Sequence, residues 1–131
     1  KHLRGLSEKL QIFGKDYNTH DGTAIRDYVH VTDIARGHVY ALKWFDKEEG
    51  TYEVYNMGTD KGNSVLEVVT TYERVNNIKI NYEFTGRRDG DAEILLPKNS
   101  KIKRELGWSA DISLEDMCRD SYNWLSKYKN I

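Results

Sequence analysis

Hydrophobic positions recur along this 131-residue chain in two rhythms, one of period two and one near 3.6, and together they predict an α/β protein. Leu10–Phe13 is a short apolar run stopped by Gly14, which reads as a strand end, and Lys15–Gly22 is polar and turn-rich. Ile25 to Val31 reads as an extended run with Arg26 and Tyr28 on one face. Thr32-Asp33 then supplies a hydroxyl cap and a first-turn acid for a helix. Ile34, Ala35, His38, Val39, Leu42 and Phe45 carry that helix to about Asp46 as its apolar stripe. Thr51 to Met57 alternates like a strand, and Gly58 to Asn63 is a turn. Ser64 and Glu67 have the spacing of a capping box, opening an amphipathic helix that runs to about Asn76. Ile78, Ile80, Tyr82 and Phe84 alternate with Lys79, Asn81 and Glu83 as a half-buried strand. Ile94–Leu96 is a further short strand closed by Pro97. A short helix runs from Ser100 to a C-terminal stop at Gly107. A last helix opens at Ser113 with a stripe of Leu114, Met117, Cys118, Ser121, Trp124, Leu125 and Tyr128.

Strand and helix alternate before two final helices, so the expected architecture is α/β with a small sheet of about three strands. Edges of so small a sheet need cover from outside this chain. Hydrophobic residues make up 38% of the sequence and charged residues 31%, a polar balance that also suggests part of something larger. Twenty basic and 21 acidic residues are interspersed for a net charge of −1, which argues against a nucleic-acid or anionic-membrane surface. No apolar run approaches a membrane span. A lone Cys118 and the lack of any Asn-x-Ser/Thr site fit a reducing cytoplasm.

Candidate chemistry concentrates in two stretches. Arg26 lies between the Asp21-Gly22 turn and a helix start, a setting suited to bidentate recognition of phosphate or carboxylate. Arg87-Arg88-Asp89-Gly90-Asp91 follows a strand, where ligand-binding loops are common. It reads either as a solvated, self-neutralising charge cluster or as arginines aimed at a phosphate with an Asp accepting sugar hydroxyls. His20, His30 and His38 lack zinc spacing, Cys118 sits on an apolar stripe, and Trp44, Trp108 and Trp124 read as packing residues. The Gly58–Gly62 turn lacks both Gly-x-Gly-x-x-Gly and the P-loop pattern, so it reads as a strand–helix connection. No Tyr-x-x-x-Lys, Ser-His-Asp or paired-carboxylate constellation is present.

Leu10-Gln11-Ile12-Phe13-Gly14, Asp16-Tyr17, Asp21-Gly22-Thr23, Ile25 through Val31, Gly37-His38 and Ala41-Leu42 resemble the UDP-glucose 4-epimerase family. So do Tyr55 through Thr59, Ser64 through Val69, Arg87 through Asp91, Glu105 through Trp108 and Asp116-Met117-Cys118. The resemblance covers nearly the whole chain, in order. It implies the C-terminal part of an extended short-chain dehydrogenase/reductase: a small mixed α/β substrate domain plus a strand and helix of the NAD-binding Rossmann sheet. The NAD-binding N-terminal part, with its catalytic Ser or Thr and Tyr-x-x-x-Lys pair, is expected to be absent from the 131 residues. The chain would then supply the UDP-sugar-binding portion and be inactive alone.

Carried over by position, Gln11, Ile12 and Phe13 resemble the segment holding uracil, by backbone and side chains. Arg26 and Arg88 resemble the diphosphate arginines, Asp91 the ribose hydroxyl acceptor, and Tyr28 lies beside them. Leu95 resembles the pocket-edge position that bears on N-acetyl groups. Lys98-Asn99-Ser100 departs from the family pattern. Implied partners are UDP-glucose and UDP-galactose, with a homodimer for the complete protein. Rival readings are a UDP-hexosamine epimerase, a decarboxylase or dehydratase of nucleotide sugars, and a non-catalytic nucleotide-sugar-binding module.

Overall fold

The computed structural model describes residues 8–45 and 52–128. In order, the elements are β1 (Leu10–Phe13), β2 (Ile25–Arg26), α1 (Val31–Phe45), β3 (Asn63–Ser64), α2 (Val65–Asn76), β4 (Tyr82–Thr85), β5 (Ile94–Leu95), α3 (Ser100–Leu106) and α4 (Leu114–Lys127). They fall into two compact units, residues 8–26, 63–95 and 113–128 in one and residues 27–45, 52–62 and 96–112 in the other.

The first unit holds both sheets. β1 pairs in parallel with β4, Ile12 opposite Phe84, while β2 lies between antiparallel β3 and parallel β5 with Arg26 opposite Leu95. Among the described residues, five short strands in two sheets thus replace the small sheet of about three strands expected. The core is Ile12, Val69 and Ile80, with Leu10, Val65, Leu66, Tyr72, Ile78 and Tyr82 packed around it. Burying such aliphatic side chains contributes about 1.5–3 kcal/mol each. Ile78 and Ile80 turn inward as their alternation predicts, yet ladder pairing starts only at Tyr82. Phe84 stays 40% exposed, its ring edge to face with that of Tyr82.

α2 begins with the capping box read from the sequence: Ser64 Oγ accepts the Glu67 amide (2.9 Å) and Glu67 accepts the Ser64 amide (2.7 Å). It ends on Asn77 in the left-handed conformation (φ 50°). α4 packs against α2 through Tyr72 and Tyr122, whose rings meet edge to face, and through Asn76 Nδ2, which donates to the Cys118 carbonyl (3.3 Å). Cys118 is buried, and burial pushes its thiol pKa up.

In the second unit three expectations change. The extended run from Ile25 stops at Arg26 rather than Val31, and α1 starts one residue before Thr32. Its first turn is served by the His30 ring, whose Nδ1 accepts the Thr32 amide (3.0 Å), so Thr32 is inside the helix and not its cap. The stripe of α1 is not buried: Val39, Leu42 and Phe45 are exposed, and the buried positions are Asp33 and Gly37. The reason lies in Gly37, where the helix approaches Met57 and Trp108 so closely that an added Cβ would sit 2.7 Å from Met57 Sδ. Finally, residues 52–57 form no strand. Their alternation survives, with Tyr55 and Met57 partly buried and Tyr52 and Val54 exposed, but no neighbouring strand among the described residues completes a ladder. Thr51 and Asp46 lie outside the described residues.

Asp33 organises this unit. It is fully buried and accepts hydrogen bonds from Arg36 (2.8 Å) and from the amides of Asp111 (3.2 Å) and Ile112 (3.0 Å). Trp108, also buried, donates to the Asp33 carbonyl (3.0 Å). α3 ends at Gly107 (φ 69°) as its sequence predicts.

Candidate functional site

A cluster of charge lies where β1, β2 and the loop after β4 meet in the first unit. The central strand β2 carries Arg26, whose Nη2 donates to Asp91 Oδ1 (2.5 Å) and to the Ala92 carbonyl (2.7 Å), while Nη1 donates to the Ile25 carbonyl (2.7 Å). From the far side Arg88 forks onto the other oxygen of the same carboxylate, Nε and Nη2 lying 3.2 and 2.9 Å from Asp91 Oδ2. Arg88 and Arg26 together hold the Asp91 carboxyl below the usual carboxylate range. Their exposures differ: the Arg26 side chain is 21% exposed and that of Arg88 60%. One cation is therefore built into the sheet and the other faces solvent. Chemically, this is a pair of guanidinium groups sharing one carboxylate, able to accept a further anion.

Phe13 lies beneath the Arg88 guanidinium, 4.8 Å from charge to ring centre. Gln11 is exposed on β1, whereas Ile12 is in the core, so only the backbone of Ile12 is left to meet a ligand. Leu95 is 63% exposed and registered beside Arg26. Tyr28 falls in the second unit.

Two networks that periodicity did not reveal support the cluster. Arg87 Nε donates to Asp16 Oδ1 (2.8 Å), its Nη2 donates to the Asp16 carbonyl, and its charge stands 4.2 Å above the ring of Tyr17. Arg87 holds the Asp16 carboxyl below its ordinary range. Asp21 accepts the Thr23 amide and hydroxyl (both 2.8 Å) and the Ser64 hydroxyl, tying the turn before β2 to the start of α2. Burial pushes the Asp21 pKa up, but these hydrogen bonds outweigh it and the net shift is downward. The turn signal at Asp21-Gly22 was legible; its partner Ser64, distant in the chain, was not.

The second unit contains a polar cavity of about 230 Å³ beside Asp60, Asn99 and Lys103. Among the described residues no group of three or more His, Cys, Asp or Glu side chains is placed to hold a metal ion, and no helix is long and apolar enough to cross a membrane.

This mixed α/β chain has the fold of short-chain dehydrogenase/reductase epimerases with Rossmann sheets. Residues 1–121 match the family model described as GDP-mannose 4,6 dehydratase, and the chain belongs to that family. It is 49% identical over 125 residues to UDP-glucose 4-epimerase 1 of Oryza sativa subsp. japonica, a match covering 94% of this chain and 35% of that protein. It superposes with a TM-score of 0.90 and 40% identity on a Stenotrophomonas maltophila UDP-glucose-4-epimerase crystallised with NAD and formylated UDP-arabinopyranose, covering 96% of this chain and 38% of that one. A Bifidobacterium longum UDP-glucose 4-epimerase in complex with NAD+ and UDP gives a TM-score of 0.88 at 44% identity, over 96% of this chain and 37% of that one. The chain thus spans about a third of the length of the curated relatives it matches.

Proposed function

We propose that this chain is the UDP-sugar-binding, C-terminal part of a UDP-glucose 4-epimerase, interconverting UDP-glucose and UDP-galactose. The observation that carries the reading is the convergence of Arg26 and Arg88 on Asp91, in a chain about half identical to UDP-glucose 4-epimerases. Epimerisation at one sugar carbon requires a nucleotide held firmly and a hexose free to present either face. Ionic bonds to a diphosphate do the first without restricting the second. Arg26 and Arg88 grip the diphosphate, Asp91 accepts a ribose hydroxyl, and Gln11, Phe13 and the backbone of Ile12 border the base. Leu95 stands at the sugar end, where its bulk limits an N-acetyl group.

NAD, when bound, supplies the hydride acceptor, and this chain's own residues do not fit it. Gly58 opens no cradle for a dinucleotide, because a Cβ there would meet Asp27 Oδ2 at 2.4 Å and Pro97 at 2.6 Å. The sequence also has no Gly-x-Gly-x-x-Gly and no Tyr-x-x-x-Lys. NAD and the catalytic Tyr and Lys accordingly belong to a preceding part of the whole protein, which also covers the exposed stripe of α1. In this reading the isolated 131 residues are inactive, and the complete protein is a cytoplasmic homodimer.

The test is product analysis on the complete protein supplied with UDP-galactose and, separately, UDP-N-acetylgalactosamine. Formation of UDP-glucose supports the reading; no change at the sugar C4 of either substrate refutes it. Turnover of UDP-galactose by the isolated chain with added NAD+ would refute the assignment of catalysis to the preceding part.

A further inference from the structure

We propose that Arg87 is a positioning residue for the anion site: it clamps the 86–91 loop to the loop after β1 and so sets where Arg88 points. This rests on the reading of Arg26, Arg88 and Asp91 as a diphosphate site.

Residues 86–90 are all exposed, and within this loop one backbone hydrogen bond, Asp91 amide to Arg88 carbonyl (3.2 Å), closes the turn. Such a loop has little reason to hold one shape. Arg87 provides the reason. Two of its donor positions are committed to Asp16, one to the carboxylate and one to the main-chain carbonyl, and its plane covers Tyr17.

The surface it grips is firm. Tyr17 is 4% exposed, and its amide donates to the Gly22 carbonyl (3.0 Å). Its ring lies on Gly14, where a Cβ would come within 2.3 Å of Tyr17 Cε2 and where φ is +81°, so the position suits glycine on both counts. Gly14 is in turn bonded to the end of β4 through the Thr85 carbonyl (3.0 Å). One peptide beyond this anchor, Arg88 starts from a fixed backbone and reaches Phe13 and Asp91.

An exposed ion pair such as Arg87–Asp16 contributes little to global stability. What it does contribute is order: an arginine already held in its binding geometry loses less conformational freedom when the anion arrives. Arg87 therefore acts on affinity, through Arg88.

The test compares the complete protein with its Asp16→Asn, Arg87→Ala, Arg88→Ala and Arg87→Ala/Arg88→Ala variants, measuring UDP binding by calorimetry and KM and kcat with UDP-galactose. Asp16→Asn is the decisive variant because it removes a negative charge. A long-range field effect would tighten UDP binding, whereas a clamp that has lost its charge-assisted bond, and keeps only the carbonyl and ring contacts, weakens it by roughly three- to tenfold. Arg87→Ala is expected to weaken binding by roughly five- to thirtyfold with KM rising and kcat changing less than twofold. On the Arg88→Ala background the same change should cost less than twofold, since Arg88 is the route of its action. Additive losses in the double variant, or UDP binding by Asp16→Asn that is unchanged or tighter, would overturn the proposal. If Arg87→Ala does not fold, Asp16→Asn still decides. Should Arg88→Ala itself bind UDP normally, the diphosphate site is misassigned, a result distinct from an intact Arg88 effect with a silent Asp16→Asn.

Discussion

Arg26 and Arg88 donate to opposite oxygens of one carboxylate, that of Asp91. Two like charges distant in the chain are thus held near each other by a single acid, leaving one net positive charge directed at whatever lies beside them. Arg26 is fixed by two main-chain carbonyls as well, so the pair joins a rigid cation to a more exposed one.

Arg88→Ala in the complete protein is expected to weaken UDP binding by roughly 10- to 100-fold, the range for losing a charge-assisted contact to an anion. Arg26→Ala should weaken it at least as much, because it also releases the Ile25 and Ala92 carbonyls. Calorimetric titration with UDP checks both; affinity within twofold of the unsubstituted protein in both cases would remove them from the site.

Asp33→Ala should be among the most damaging single changes. It strips the acceptor from the part-buried amides of Asp111 and Ile112 and one of the two carboxylates that pair with Arg36. The expected loss is about 3 kcal/mol, read from the urea midpoint of the complete protein. A loss below about 0.5 kcal/mol would show that the Asp111–Ile112 turn finds other acceptors.

Acid should destabilise the protein progressively below about pH 4. Asp16, Asp21, Asp91 and Asp111 are all held below their ordinary pKa by hydrogen bonds in the folded state. The unfolded chain therefore binds protons first as pH falls. Stability from these groups is complete above the unfolded carboxylate pKa and is lost as pH drops through the folded values. Ser64→Ala, which removes the hydroxyl donated to Asp21 and the cap of α2, should flatten part of this dependence and cost about 1–2 kcal/mol at neutral pH. Urea midpoints measured from pH 7 to pH 2.5 test both statements; an unchanged pH profile in the variant would dissociate Asp21 from Ser64.

Cys118 should resist alkylation in the native protein. It is buried between α2 and α4 with its pKa raised by burial, and the thiolate is the reactive species. Iodoacetamide at pH 8 is expected to label it at least tenfold more slowly in buffer than in denaturant. Equal rates would mean that the α2–α4 packing opens readily.

Local signals in the sequence located the elements whose start and stop chemistry is local. The Ser64–Glu67 box, the Ser113 cap and Gly107 mark helix ends in the structure, because caps act within one turn. The stripe on α1 and the alternation of residues 52–57 were equally visible. Burial and ladder pairing, however, depend on what stands opposite, which no single segment encodes. Arg26, Arg88 and Asp91 stood out as an anion-and-hydroxyl set, and the structure brings them together. Arg87, Asp16 and Tyr17 were missed as a group because a guanidinium over a ring joins remote positions without periodicity. Asp33 read as a first-turn acid, whereas its main partners are amides of a distant turn.

β1 has a divided allegiance along its four residues. Ile12 locks into the aliphatic centre while Gln11 and Phe13 turn outward on either side of it. Any repacking that shifts Ile12 therefore drags the outer residues along, and improvement of the interior cannot proceed independently of the proposed base contacts. Directed evolution for thermal tolerance would be expected to leave this strand untouched, and to find its gains on α4 instead.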